Sequence, residues 1–350
     1  MFPVQTAKAD TCSCPQSSFQ VTQATIQERK MENSEEGEYA NSTFGYYEYY
    51  EYHNTSHQNE AVIKVGSTAA PIVFTIVVLL SLIGNVLVLV IFGLYENLKS
   101  LTNIFILNLA LSDLIFTLGL PFWACSYIWS WTFGDFVCKS VNFIFSAGFH
   151  SSIVILMLMS IERYVAVVHP RSNWNRWQRF VFPILTWVFS FAAASPELLY
   201  NKVMSDPTDN KHCCDYYSIE AIIGFTYQQN ILFVVAFSVM GFCYIGIIVT
   251  IPRSQRNNRN RTRRLIFCIV VVFFISWAPY NIVMFLLTLL FHRTDTFTQC
   301  DVFIHYDSAF YVCRLLACSH CCLNPVIYVF VDVKFRNHLK TLLQQMFVGR

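Results

Sequence analysis

The chain has 350 residues, of which 55% are hydrophobic and 13% charged, with a mean hydropathy of +0.43. A soluble globular domain carries about 25% charged residues, so this composition excludes one and points to an integral membrane protein. The net charge of +2 selects no class of partner; the placement of the charges along the chain is what informs.

Residues 1–30 show neither helical nor strand periodicity and read as an upstream extension, with Met31 as the expected working start. No stretch there joins a basic start, a short apolar core and a small-residue cleavage site, so the first membrane segment is the expected anchor. From Met31 the chain is polar and acidic. Seven glutamates (Glu32, Glu35, Glu36, Glu38, Glu48, Glu51, Glu60) face one lysine, Lys64. Tyr39, Tyr46, Tyr47, Tyr49, Tyr50 and Tyr52 are interleaved with them. Such a stretch buries too little apolar surface to fold alone, so residues 1–67 are expected as a disordered extracellular tail. Asn41-Ser42-Thr43 and Asn54-Thr55-Ser56 fit the glycosylation acceptor pattern, which agrees with an outside location.

Seven apolar runs follow, at 68–94, 102–127, 136–167, 179–200, 221–250, 263–291 and 303–330. Each is long enough to cross a hydrocarbon layer of about 30 Å, which takes about 20 helical residues. The fold class expected is therefore an all-α membrane protein, a seven-transmembrane helix bundle over 68–331. Residues 332–350 form a cytoplasmic end, in which DVKFRNHLKTLLQQMF reads as a short amphipathic helix. Phe335, Leu339, Leu342, Leu343 and Met346 fall near one face of it, which suits the membrane interface. Thr341 is the only hydroxyl residue after Tyr328, so arrestin recruitment through phosphorylation is expected to be weak.

Charge sets the orientation. Lys99, then Arg171, Arg176 and Arg179, then six arginines between Arg253 and Arg264, then Lys334, Arg336 and Lys340 all fall on one side of the bundle. The other side mixes Lys202, Lys211 and Arg293 with Asp206, Asp209, Asp215, Glu220, Asp295 and Asp301. Basic loops stay in the cytoplasm, which puts the N-terminus outside, as for a multi-pass protein of the plasma membrane. Asn260-Arg261-Thr262 also fits the glycosylation pattern but lies inside and is expected to stay bare.

The spans carry polar groups that lipid disfavours. Asn85 stands in the first, Asp113 in the second, Ser152 and Glu162-Arg163-Tyr164 in the third. Trp187 stands in the fourth, Trp277 and Pro279 in the sixth, Asn324, Pro325 and Tyr328 in the seventh. A lone arginine at a span's end ordinarily snorkels to the headgroups, and a single buried Asn ordinarily packs. The ordered set across the spans is another matter. Buried Asp113 needs partners or a cation, and Asn85, Ser152 and Asn324 offer oxygens for Na+, the one cofactor these residues suggest. Prolines free backbone carbonyls and give a helix places to bend. Cys12-Ser13-Cys14 and His320-Cys321-Cys322 supply no four-ligand metal set. A transporter or channel would call for a polar path or repeated halves, and an intramembrane enzyme for convergent acids; neither pattern is present, and no enzymatic activity is expected.

The motifs Gly84-Asn85, Leu109 to Asp113, Glu162-Arg163-Tyr164, Trp187, Trp277 to Pro279 and Asn324 to Tyr328 occur in the order of the rhodopsin-like G-protein-coupled receptors, which the chain resembles over about residues 68–346. The resemblance assigns Glu162, Arg163, Tyr164, Tyr244, Trp277, Pro279, Asn324, Pro325 and Tyr328 to activation and G-protein coupling. That family usually has Asp where Glu162 stands, and Glu162 keeps the charge that pairs with the arginine. Its fifth-span proline is replaced by Ala236.

Within that family, ERYVAVVHP, the acidic tyrosine-rich tail and SHCCLNPVIYVFVDVKFRNHL resemble chemokine receptors. LTNIFILNLALSDL, SWAPYN and Cys313-Arg314 are most similar to the XC type, which binds lymphotactin-type chemokines; most other relatives place a glutamate where Arg314 stands. Three expectations follow from this resemblance. The acidic tail, with sulfation of some tyrosines, captures a basic chemokine. The chemokine's N-terminus then meets Trp123, Tyr127, Phe145, Phe149, Tyr227, Gln228, Tyr280 and Arg314. Inside, an inhibitory G protein meets Arg163 once the sixth span swings at Pro279. The resemblance also implies a bridge from Cys138 to the 200–220 loop, with Cys214 favoured and Cys213 as the alternative. A second bridge to Cys300 lacks a partner in 31–67, which leaves Cys12 or Cys14. Two alternative functions remain, a chemokine scavenger without signalling and a receptor for another peptide.

Overall fold

The computed structural model describes residues 44–96, 98, 100–169, 177–205, 212–216, 218–250, 260–292, 309–310 and 312–348, the side chains of 44–69 and of some other residues excepted. The elements in chain order are α1 (Phe44–Tyr95), α2 (Leu101–Trp129), α3 (Gly134–Val168), α4 (Gln178–Ala194) and α5 (Pro196–Tyr200). A two-stranded antiparallel hairpin follows, β1 (Asn201–Ser205) and β2 (His212–Tyr216). Then come α6 (Ile219–Thr250), α7 (Asn260–His292), α8 (Val312–Cys318), α9 (His320–Val331) and α10 (Val333–Val348).

Six helices are long and apolar enough to span a membrane, and α8 with α9 forms a seventh span bent by 48°. This is the seven-helix bundle with a C-terminal helix. Helix α3 is its axis: 67% of its most apolar window is buried, against 22% for the fourth and fifth spans at the rim. Large apolar side chains such as Ile83, Phe180, Val188 and Ile248 face outward, and the polar groups Asn85, Asp113, Ser152 and Asn324 face inward. That is the pattern a hydrocarbon solvent selects.

Close approach of helices needs small residues. A Cβ on Gly148 of α3 would lie 2.8 Å from the Phe116 Cβ of α2, and one on Gly84 of α1 would lie 2.7 Å from Pro325. Pro325 has a second consequence. Having no N–H, it leaves the Cys321 carbonyl without its helical donor, and the Asn85 amide of α1 donates to that oxygen at 2.9 Å. The bend at Ser319 has a local cause as well, since its hydroxyl donates to the Leu316 carbonyl at 2.6 Å and competes with the helical ladder.

One expectation is corrected and two are refined. Residues 44–67, expected as disordered tail, are helical and continuous with the first span, whose apolar part is Ala70–Tyr95. No glycine or proline interrupts 46–65, and adding turns to an existing helix avoids the nucleation cost. The seventh span is two helices rather than one. In α10, Phe335 is buried and Leu339 and Leu342 pack on the core, whereas Leu343 is exposed. Residues 1–43 lie outside the described residues, as do Tyr39, Asn41, Cys12, Cys14 and Cys300, and so do the side chains of Asn54, Tyr46, Tyr47, Tyr49, Tyr50, Tyr52 and Met346.

Candidate functional site

The outer mouth is built around the hairpin. Cys138 at the start of α3 is bonded to Cys214 of β2, with Cα atoms 5.6 Å apart. Asp135 Oδ1 accepts the Val203 backbone N–H at 3.1 Å, and Trp131 donates its backbone N–H to the His212 carbonyl at 2.7 Å. The hairpin is thus fixed to α3 from both strands. Cys214, not Cys213, makes the bridge.

Arg314 of α8 places its guanidinium carbon 4.0 Å from the centre of the Trp123 ring and 5.9 Å from that of Phe310. A cation over an aromatic face is attracted by the ring quadrupole, so two residues singled out in sequence meet across the second and seventh spans. From there ring contacts run inward. Phe310 lies 5.8 Å from Tyr280, and Tyr280 lies 5.9 Å from Trp277. Trp277, 1% exposed, touches Phe149 at 4.3 Å and His320 at 5.2 Å.

The other candidates make contacts of their own. Phe149 is buried beneath the mouth as part of the Trp277 cluster, and Phe145 packs at 4.3 Å on Phe116. Gln228 is a tie between helices: its amide donates to the Ala193 carbonyl at 2.7 Å, and its nitrogen is 3.4 Å from His150 Nε2. Tyr127 stacks on Phe74 of α1 at 5.9 Å. Tyr227 is 38% exposed on α6.

Below Trp277 lies Asp113, fully buried. The Asn324 amide donates to its Oδ2 at 2.7 Å, and the Ser152 hydroxyl to its Oδ1 at 3.5 Å. His320 donates from Nδ1 to the Ala317 carbonyl and keeps Nε2 3.8 Å from Asp113 Oδ1. Asn85 does not donate to Asp113; its amide serves Ser81 and Cys321, and its Oδ1 is buried with no donor among the described residues.

At the inner end Arg163 is locked. Its Nε is 2.9 Å from Glu162 Oε2, the Thr102 hydroxyl donates to the same oxygen at 3.1 Å, and Arg163 Nη2 donates to Thr102. Tyr164 packs on Phe242 of α6, and Tyr244 on Phe267 of α7. Tyr328 is buried between Phe92 of α1, at 6.1 Å, and Phe335 of α10, at 5.8 Å. Trp187 donates to Asn108 Oδ1 at 3.1 Å and ties the fourth span to the second. Helix α6 runs through Ala236 as one continuous helix with no proline.

Sequence reading missed one residue of the mouth. Glu197 of α5 is buried, and Tyr216 donates its hydroxyl to both carboxylate oxygens, at 2.8 and 2.9 Å. Burial, and then the nearby Glu197 charge, pushes the Tyr216 phenol well above its ordinary range, so it remains a protonated donor. An acid at the end of a span looks ordinary in sequence; only the fold shows it covered.

The bundle thus carries three sites: the Arg314 mouth, the buried polar core at Asp113 and the Glu162–Arg163 pair. Residues 84–328 match the family described as 7 transmembrane receptor (rhodopsin family). The chain belongs to that family, and within it to the chemokine receptors. It is 42% identical over 305 residues to chemokine XC receptor 1 of Homo sapiens, covering 86% of this chain and 89% of that one. The Mus musculus protein of the same name is 41% identical over 312 residues, covering 88% and 93%. C-C chemokine receptor type 4 of Homo sapiens is 33% identical over 293 residues, covering 81% and 80%.

Proposed function

We propose that this protein is a chemokine receptor of the XC type, which takes a lymphotactin-type chemokine at its outer face and signals through inhibitory G proteins to direct cell migration. The observation that carries this reading is the chain of contacts from Arg314 on Trp123, through Phe310 and Tyr280, to Trp277. The identity of 42% to a chemokine XC receptor supports the ligand type. The protein sits in the plasma membrane with its acidic tail outside, where Tyr39, Tyr46, Tyr47, Tyr49, Tyr50 and Tyr52 with their glutamates attract a basic chemokine. Arg163 is the inner element: leaving Glu162 and Thr102, it meets the G protein as the sixth span moves at Pro279. Ligand shifts this equilibrium by binding the active form better. Arrestin is a weak partner.

The buried core also suits Na+. Asp113, Ser152, Asn324 and the unpartnered Asn85 Oδ1 form an oxygen set that fits a hard cation. A bound Na+ would offset the Asp113 charge and favour the locked form.

The test is binding of labelled lymphotactin-type chemokine to cells bearing the receptor, in competition with unlabelled C-C chemokines. Displacement by the lymphotactin type alone is the expected result. Equal displacement by C-C chemokines would refute the XC assignment, and no binding at verified surface level would refute chemokine recognition.

A further inference from the structure

The residue after the locked arginine faces another helix. Successive residues of an α-helix point about 100° apart. Arg163 turns toward Thr102 of α2, and Tyr164 turns toward α6, the fifth span. There the Tyr164 ring packs on Phe242, with centroids 5.6 Å apart. One turn further along α6 it covers Gly246. A Cβ on that glycine would lie 2.5 Å from Tyr164 Cε2, 3.1 Å from Cδ2 and 3.7 Å from Cζ. His169, just past the end of α3, meets the same ring edge-on at 6.1 Å.

Phe242 and Gly246 stand four residues apart and so share one face of α6, as the wall and the floor of a notch. The fit belongs to this glycine. A Cβ on Gly224 or Gly241 of the same helix would meet nothing within 4 Å. Glycine inside a helix weakens it relative to alanine, and at 246 that cost leaves room for the ring. The ring is rigid and flanked by Phe242 and His169. A methyl at 246 therefore displaces the ring or parts α3 from α6. The three atoms nearest that methyl all belong to Tyr164, so the change would not touch Arg163, Glu162 or Thr102 directly.

We propose that Gly246 is a positioning residue for Arg163. The notch it forms with Phe242 seats Tyr164 and holds the inner end of α3 in the orientation in which Arg163 meets Glu162 and Thr102. The proposal rests on the G-protein reading above. The lock then has two parts: a polar one toward the second span, and a steric one toward the fifth.

The experiment measures nucleotide exchange on an inhibitory G protein in membranes of cells bearing the receptor, with and without a lymphotactin-type chemokine. Wild type, Gly246→Ala, Gly241→Ala, Glu162→Gln and Gly246→Ala with Glu162→Gln are compared at matched surface level. Gly246→Ala is expected to raise ligand-free exchange about fivefold, as for overpacking at a filled contact. Gly241→Ala should match the wild type. On Glu162→Gln, where the lock is already open, Gly246→Ala should add little, because the two changes act on one element. Ligand-free exchange at the wild-type level in Gly246→Ala overturns the proposal, as does an equal rise in Gly241→Ala. So does a full further rise on Glu162→Gln, because the notch then acts apart from Arg163. If Gly246→Ala does not reach the surface, Tyr164→Ala, which empties the same notch, decides. Ligand-free exchange there no higher than the wild type's overturns the proposal. No chemokine-driven exchange on the wild type overturns the G-protein reading, and this positioning role with it.

Discussion

Arg314 lies against an indole face 4.0 Å away, at the outer end of a membrane span. A partly desolvated contact of this kind is worth roughly 1 to 2 kcal/mol. Arg314→Ala is expected to lower ligand potency about tenfold, the equivalent of about 1.4 kcal/mol, measured as a shifted concentration–response curve at equal surface level. Arg314→Lys should recover little, because an ammonium does not stack as a planar guanidinium does. An unshifted curve for Arg314→Ala would remove the residue from the mouth. At the inner end, Glu162→Gln removes the charge that holds Arg163 at 2.9 Å. Hydrogen bonds to charged groups contribute about 1.5 to 3 kcal/mol, so basal signalling should rise severalfold without ligand. Unchanged basal signalling would mean that the pair does not lock the receptor. Arg314 and Glu162-Arg163 were legible in sequence because a charge stands out in an apolar run. The contacts of Phe149 with Trp277 and of Gln228 with the Ala193 carbonyl were not legible, because residue spacing within a span does not disclose which neighbouring helix a side chain meets.

The helices meet where side chains are smallest. Gly148→Leu would drive side-chain carbons into Phe116, since even a Cβ would come to 2.8 Å. Overpacking of a filled interior costs about 1 to 3 kcal/mol, so the variant should melt earlier in detergent, and Gly93→Leu, with nothing within 4 Å of its Cβ, should not. Equal melting of both would refute the close packing of α2 on α3. The hairpin provides a second test. The Cys138–Cys214 bridge closes a segment of 76 residues, worth roughly 4 to 5 kcal/mol in a chain-entropy account. Cys214→Ala should abolish ligand binding, whereas Cys213→Ala should keep affinity within about twofold. The opposite ranking would reassign the bridge. Spans were visible in sequence as apolar runs. The bend at Ser319 was not, because it depends on a hydroxyl reaching the Leu316 carbonyl, a local contact that hydropathy does not show.

Across the whole molecule, charge is separated by side: glutamates and tyrosines crowd the N-terminal segment, and arginines crowd the loop before α7. Exposed charges are screened beyond about 10 Å at 0.1 M salt. Association of a basic chemokine should therefore slow severalfold as salt rises from about 0.05 to about 0.3 M, with dissociation little changed; a salt-independent on-rate would exclude capture by the tail. Ligand at the Arg314 mouth is expected to free Arg163 for an inhibitory G protein. The most direct test is cAMP inhibition in cells expressing the receptor, against a chemokine panel that includes the lymphotactin type, with and without pertussis toxin. A toxin-sensitive fall in cAMP for the lymphotactin type alone is the expected outcome. Binding and uptake with no change in cAMP would contradict it and make the protein a scavenger.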